Sequence, residues 1–169
     1  GLVAILALYP INWLSARFGK KPVLMGGLGL AIFGSLSTWV LYTPVHPYWS
    51  LIPGILIGVG QPCVWILGAS FVADICDIDE LEHGLRREGM YGAVTGFVSK
   101  AGVGIATVLN GYLINLTGFV AGVDPSEQVI WNMRVMYALT PALLIGLGAF
   151  LASRLDITER MMQQIRLAL

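Results

Sequence analysis

The chain has 169 residues, 56% of them hydrophobic and 12% charged, with a formal net charge of +0. A soluble domain carries about twice that charged fraction, so the composition is that of an integral membrane protein. A neutral chain without a clustered basic face excludes nucleic acid as a partner, and Cys63 and Cys76 have neither metal-ligand spacing nor a disulfide framework around them.

Five apolar segments predict an all-α polytopic transmembrane bundle, with spans at about 1–15, 22–42, 49–73, 90–118 and 129–153. A span needs about 20 apolar residues, so the first segment is short. With no initiator Met and no signal peptide, the sequence reads as the C-terminal part of a longer protein. Its expected division is a membrane domain over 1–153 and a cytoplasmic amphipathic tail over 154–169.

The second span opens at Pro22, a good first-turn residue. It ends in a connector flanked by Tyr42, Tyr48 and Trp49, an interfacial aromatic belt. The third carries Gln61, Pro62 and Trp65 near mid-depth, and Pro62 is expected to kink it. Next comes the most charged part of the chain, read as a loop over 74–89 with Asp74, Asp77, Asp79, Glu80, Glu82, Arg86, Arg87 and Glu88. The fourth span is Gly-rich; Gly92, Gly96, Gly102 and Gly104 are expected close-packing positions. Lys100 lies about ten residues into it, or ~15 Å deep at helical rise. A cation there costs at least ~2.5 kcal/mol, which marks a pathway or a paired site. Before the last span, Asp124, Pro125 and Glu127 predict a helix start with Asp124 as N-cap.

Basic residues set the orientation. Arg17, Lys20, Lys21, Arg86, Arg87, Arg154, Arg160 and Arg166 fall in one set of alternate loops, against Arg134 alone in the other. By the positive-inside rule the chain starts outside and ends in the cytoplasm.

Two stretches carry a family resemblance. Arg17-Phe18-Gly19-Lys20-Lys21 resembles the short basic loop of the major facilitator superfamily, with Ala16 where an acid usually stands. Ala73-Asp74-Ile75-Cys76-Asp77, then Gly84-Leu85-Arg86, Lys100 and Gly118-Phe119, resemble the glycoside–pentoside–hexuronide:cation symporters, the melibiose-permease-like family. The resemblance spans essentially the whole chain and implies spans eight to twelve of a twelve-helix carrier. It further implies symport of a sugar or glycoside with Na⁺ or H⁺ by alternating access, in a bacterial inner membrane. It assigns substrate binding to Trp65 and Lys100, with Thr95 at a polar position before the Lys. Asp74, Asp77 and Arg86 become the cytoplasmic gate. A Trp ring stacks on a pyranose face and an ammonium donates to hydroxyls, so the chemistry suits a sugar.

Trp65 lies nine residues before Asp74, ~13 Å outward along a helix, a depth similar to that of Lys100. No metal site or cofactor is expected in this chain: Asp74, Asp77 and Glu80 recur at i, i+3 without the pattern of a calcium loop. The resemblance implies a coupling-cation site mainly in the missing N-terminal half of the carrier, an expected partner together with the lipid bilayer. Two rivals remain, a lysophospholipid carrier and a non-transporting structural membrane subunit. An intramembrane enzyme would need a nucleophile–base or carboxylate–His pair at common depth, and no His falls within the spans, which argues against it.

Overall fold

A computed structural model describes residues 2–42 and 46–154, together with Met162 and Ile165. Over residues 2–154 as described, five α-helices follow one another: α1 Leu2–Phe18, α2 Lys20–Leu41, α3 Leu51–His83, α4 Glu88–Leu116 and α5 Glu127–Ser153. A single 3-10 turn, Pro47–Ser50, leads into α3, and no strand occurs among the described residues. The helices α2, α3, α4 and α5 are long and apolar enough to cross a membrane, and α1 is a shorter apolar helix. The all-helical membrane architecture expected from the sequence is therefore present. The tail over 154–169 lies outside the described residues except for Arg154, Met162 and Ile165, the last two of which are buried.

The core forms where α2 lies against α3. Leu24 and Leu28 of α2 meet Cys63, Leu67 and Phe71 of α3, and Ala7 and Ile11 of α1 close the cluster. On its other side α2 packs along α5. Close approach of α2 to α3 depends on small residues. A Cβ on Gly27 would stand 2.6 Å from the Cys63 side chain, and one on Gly34 2.9 Å from Leu56 and Ile57. A Cβ on Gly60 would collide with the Gly27 carbonyl and the Ala31 backbone. Membrane helices gain little from hydrophobic exclusion and depend on such intimate contact.

The expected close-packing glycines were elsewhere. Gly92, Gly96, Gly102 and Gly104 of α4 have open space where a Cβ would go. The reason is that no residue of α4 is buried and this helix meets the bundle chiefly near the end of α3. A glycine acts as a packing residue only where another helix crosses it.

Two boundaries also differ from expectation. The charged stretch is not a loop from Asp74 onward; α3 continues through it to His83. Its 33 residues reach ~50 Å at helical rise, well beyond a ~30 Å hydrocarbon layer. The acids therefore ride on a helical extension, and the true connector is only 84–87. Gly84, at φ +68°, ends the helix in a left-handed cap, its N–H donating to the Glu80 carbonyl at 2.8 Å. At α5 the N-cap is Ser126 rather than Asp124: its Oγ accepts from the Val129 N–H at 3.4 Å. That is the bond to the third helical residue that an N-cap makes.

At the end of α2 remote from Lys20, aromatic pairs tie it to α5. Trp39 meets Trp131 edge-on at 6.3 Å, and Tyr42 stacks on Tyr137 at 5.8 Å. His46 is exposed and stacks on Trp49.

Candidate cytoplasmic gate and substrate face

The charges gather at one end of the bundle. α1 ends at Phe18, Gly19 turns the chain at φ +91°, and α2 starts at once with Lys20 and Lys21. This turn presents both ammonium groups to the neighbouring helices. Lys20 Nζ reaches Asp74 Oδ2 on α3 at 2.5 Å, and the Asp74 side chain is only 1% exposed. Lys21 Nζ donates to the Ser153 carbonyl at 2.9 Å, satisfying one of the orphan acceptors at the C-terminus of α5. The short basic turn thus links α2 to both helices beside it.

Arg86, in the connector, forms a second set of ion pairs. Its guanidinium lies 3.0 Å from Glu80, 3.3 Å from Glu88 and 3.8 Å from Asp77. Hydrogen bonds to Glu88 and Glu80 push its pKa upward, so it is a permanent cation. Of the three residues expected at the gate, Arg86 and Asp77 are brought together, while Asp74 pairs with Lys20. Arg86 remains about half exposed, and such a pair is worth little in stability but can be made and broken readily.

The sequence places Lys20 in the basic-loop motif and among the orienting cations without indicating its partner, and the expected gate leaves out Glu80 and Glu88. The signal for the latter two was present, since a cation six residues after one acid and two before another can reach both. For Lys20 there was no local signal: its partner lies 54 positions away.

The expected substrate residues lie on α3 and α4. Trp65 sits midway along α3 and is 64% exposed. Lys100 is exposed twelve residues into α4, ~18 Å along its axis. Thr95 donates its hydroxyl back to the Tyr91 carbonyl at 2.8 Å, one turn earlier, which leaves its oxygen lone pairs outward. No cation–π or hydrogen-bond contact joins Trp65 to Lys100 among the described residues. Trp65 and Lys100 thus stand on exposed helix faces, one aromatic and one cationic.

Against known families, residues 2–159 match the model described as MFS/sugar transport protein. The chain belongs to this family. Membership agrees with the motifs that resemble the glycoside–pentoside–hexuronide symporters, and it places the chain among transporters rather than enzymes. The isoprimeverose transporter of Lactiplantibacillus pentosus is 31% identical over 153 residues, covering 88% of this chain and 31% of that protein. A glucuronide carrier protein homolog of Escherichia coli (strain K12) is 28% identical over 170 residues, 98% of this chain and 35% of the carrier. The uncharacterized symporter YjmB of Bacillus subtilis (strain 168) is 26% identical over 151 residues, 88% of this chain and 32% of that protein. The chain spans about a third of the length of these relatives.

Proposed function

We propose that this chain is the C-terminal part of a carrier that moves a sugar or glycoside together with Na⁺ or H⁺ by alternating access. Membership of a sugar-transport family supports the substrate class, and relatives named as transporters of isoprimeverose and as a glucuronide carrier homolog point the same way. The observation that carries the reading is the pair of ion-pair sets at one end of the bundle, Lys20–Asp74 and Arg86 with Asp77 and Glu80. Charges paired across helices at the membrane edge in one state and parted in another bias a rocking equilibrium.

Trp65 and Lys100 are the proposed substrate contacts, with Thr95 beside them. The absence of any buried residue on α4 supports a partner for that face in the first half of the carrier, which would also supply the coupling-cation site. The gate faces the cytoplasm of a bacterial inner membrane in this reading, with residue 1 on the outer side. The membrane domain covers 1–153, with the tail following.

The test uses the full-length protein reconstituted in vesicles. Uptake of radiolabelled α- and β-glycosides is measured under an imposed Na⁺ gradient, an imposed proton gradient, or neither. Gradient-driven accumulation of a glycoside supports the reading. Equal uptake without any gradient removes the coupling, and uptake of lysophospholipid instead of glycoside replaces the substrate.

A further inference from the structure

Of the ten basic residues, Arg134 alone belongs neither to the loops assigned to the gate side nor to the proposed substrate face. It lies on α5, toward the end of the bundle remote from Lys20, and is partly buried. Among the described residues its guanidinium has no ion pair, hydrogen bond or ring contact. Asp124 and Glu127, the acids near the start of α5, are exposed and stand outside ion-pair range of it.

Helical spacing fixes what surrounds this cation. Trp131, Arg134 and Tyr137 follow one another at intervals of three and so share one face of α5. The outer two hold α2: Trp131 meets Trp39, and Tyr137 stacks on Tyr42. Arg134 is therefore set between two aromatic contacts along the α2–α5 seam. Ala138, one turn further on, is fully buried, which closes the seam beneath it. The four rings are between 38% and 58% exposed, so the edge of the seam is open. Leu144 and Leu151, both exposed, follow Tyr137 at intervals of seven and continue an apolar track down the same side of α5. The seam also lies on the flank away from α4, because α2 separates α5 from α3 and α4 meets the bundle near the end of α3.

Depth decides what can reach Arg134. The 27 residues of α5 extend ~40 Å across a ~30 Å hydrocarbon layer. Arg134 stands seven residues after Glu127, the first of the helix. With α5 centred, its Cα falls ~5 Å inside the hydrocarbon boundary. Helical Cα–Cβ bonds tilt toward the N-terminus, which for α5 is the nearer surface, so the stem leads the guanidinium toward the headgroups. Trp and Tyr rings favour the same level. A cation at that depth needs an anion, and the described protein groups supply none.

We propose that Arg134, framed by Trp39, Trp131, Tyr42 and Tyr137, binds the phosphodiester of an anionic phospholipid in the leaflet at this end of the bundle. One acyl chain follows Leu144 and Leu151. A planar guanidinium meets a phosphate through two parallel N–H donors, and the aromatic rings present apolar faces to the upper chain and polar tips to the headgroup. The leaflet is the outer one in the topology proposed above; the site itself does not depend on the carrier reading.

The test uses the full-length parent, Arg134→Gln, Arg134→Lys and Arg154→Gln proteins, stripped of lipid in a neutral detergent. Each is titrated with phosphatidylglycerol, with phosphatidylcholine of the same chains, and with glycerol phosphate, and bound molecules are counted by native mass spectrometry. The parent should bind phosphatidylglycerol about fivefold more tightly than phosphatidylcholine, the worth of one basic residue at an anionic surface. Arg134→Gln should abolish that preference and Arg134→Lys should keep most of it. Arg154→Gln, at the other end of the same helix, should leave it intact. No preference in the parent overturns the site, and that readout needs no variant to fold. A parental preference in Arg134→Gln, or an equal loss in Arg154→Gln, overturns it as well. Glycerol phosphate binding as tightly as phosphatidylglycerol would make this a site for free phosphate and overturn the lipid assignment.

Discussion

Lys20, the first residue of α2, holds Asp74 of α3 in a nearly buried ion pair across 54 positions of sequence. The pair fastens the basic turn to the acidic extension, and it lies at the end of the bundle where α2 also captures the terminal carbonyl of α5 through Lys21. Removing the ammonium deprives a carboxylate 1% exposed of a charged donor. Lys20→Met should destabilise the full-length protein by about 1.5–3 kcal/mol, the scale of a hydrogen bond to a charged group. Lys20→Arg should recover most of it. Thermal unfolding in detergent checks this, and equal midpoints for parent and Lys20→Met would refute it.

The Arg86 pairs are exposed and should act on rate more than on affinity. Arg86→Ala is expected to lower turnover of a transported sugar while leaving its equilibrium binding within about twofold, since exposed pairs contribute under about 1 kcal/mol. Binding and transport measured on the same vesicles decide it. Lost binding with normal turnover of the bound sugar would remove the gate role.

At the substrate face, Lys100→Ala should abolish transport. Lys100→Arg should rescue it poorly, because a planar fork does not replace a compact point charge. Trp65→Phe should retain partial binding, and Trp65→Ala should lose ~1–2 kcal/mol of it, the scale of a well-placed aromatic contact. Correctly inserted alanine variants that bind and move sugar like the parent would make Lys100 a structural charge.

The α2–α3 contact makes a contrast between two glycines. Gly60→Ala places a methyl on the Ala31 and Gly27 backbones, whereas Gly29→Ala meets nothing within 4 Å. The first should cost about 1–3 kcal/mol by overpacking, and the second should be neutral or slightly favourable through helix propensity. Unfolding midpoints of the two variants should separate accordingly.

Orientation is tested with single cysteines in intact cells. His46→Cys should react with an impermeant maleimide, and Leu85→Cys, in the exposed connector, should not. The reverse pattern would invert the topology. Leu85 is the better reporter, because Gly84 has a positive φ that a side chain would strain.

What the sequence by itself determined was set by one-dimensional quantities. Runs of apolar residues located four long spans and a short first helix to within a few residues, apart from the C-terminal end of α3, because the bilayer demands length and hydrophobicity whatever the neighbours are. The family motifs, read in order, pointed to transport before any helix was packed. Even the Arg86 partners Glu80 and Glu88 lay within reach of local spacing.

Tertiary structure decided the rest. Whether Asp74 through His83 formed a loop or a helix was hidden by polarity, since a helix that leaves the membrane no longer needs apolar residues. Which glycines carry a helix crossing depended on where α2 meets α3, so Gly27, Gly34 and Gly60 mattered while those of α4 stood open. The pairing of Lys20 with Asp74, and the approach of Arg87 to Asp79, are contacts between groups whose charges the sequence displays. Their distances are set only when the helices pack. Electrostatic partnership falls off with separation in space, and sequence order alone does not define that separation.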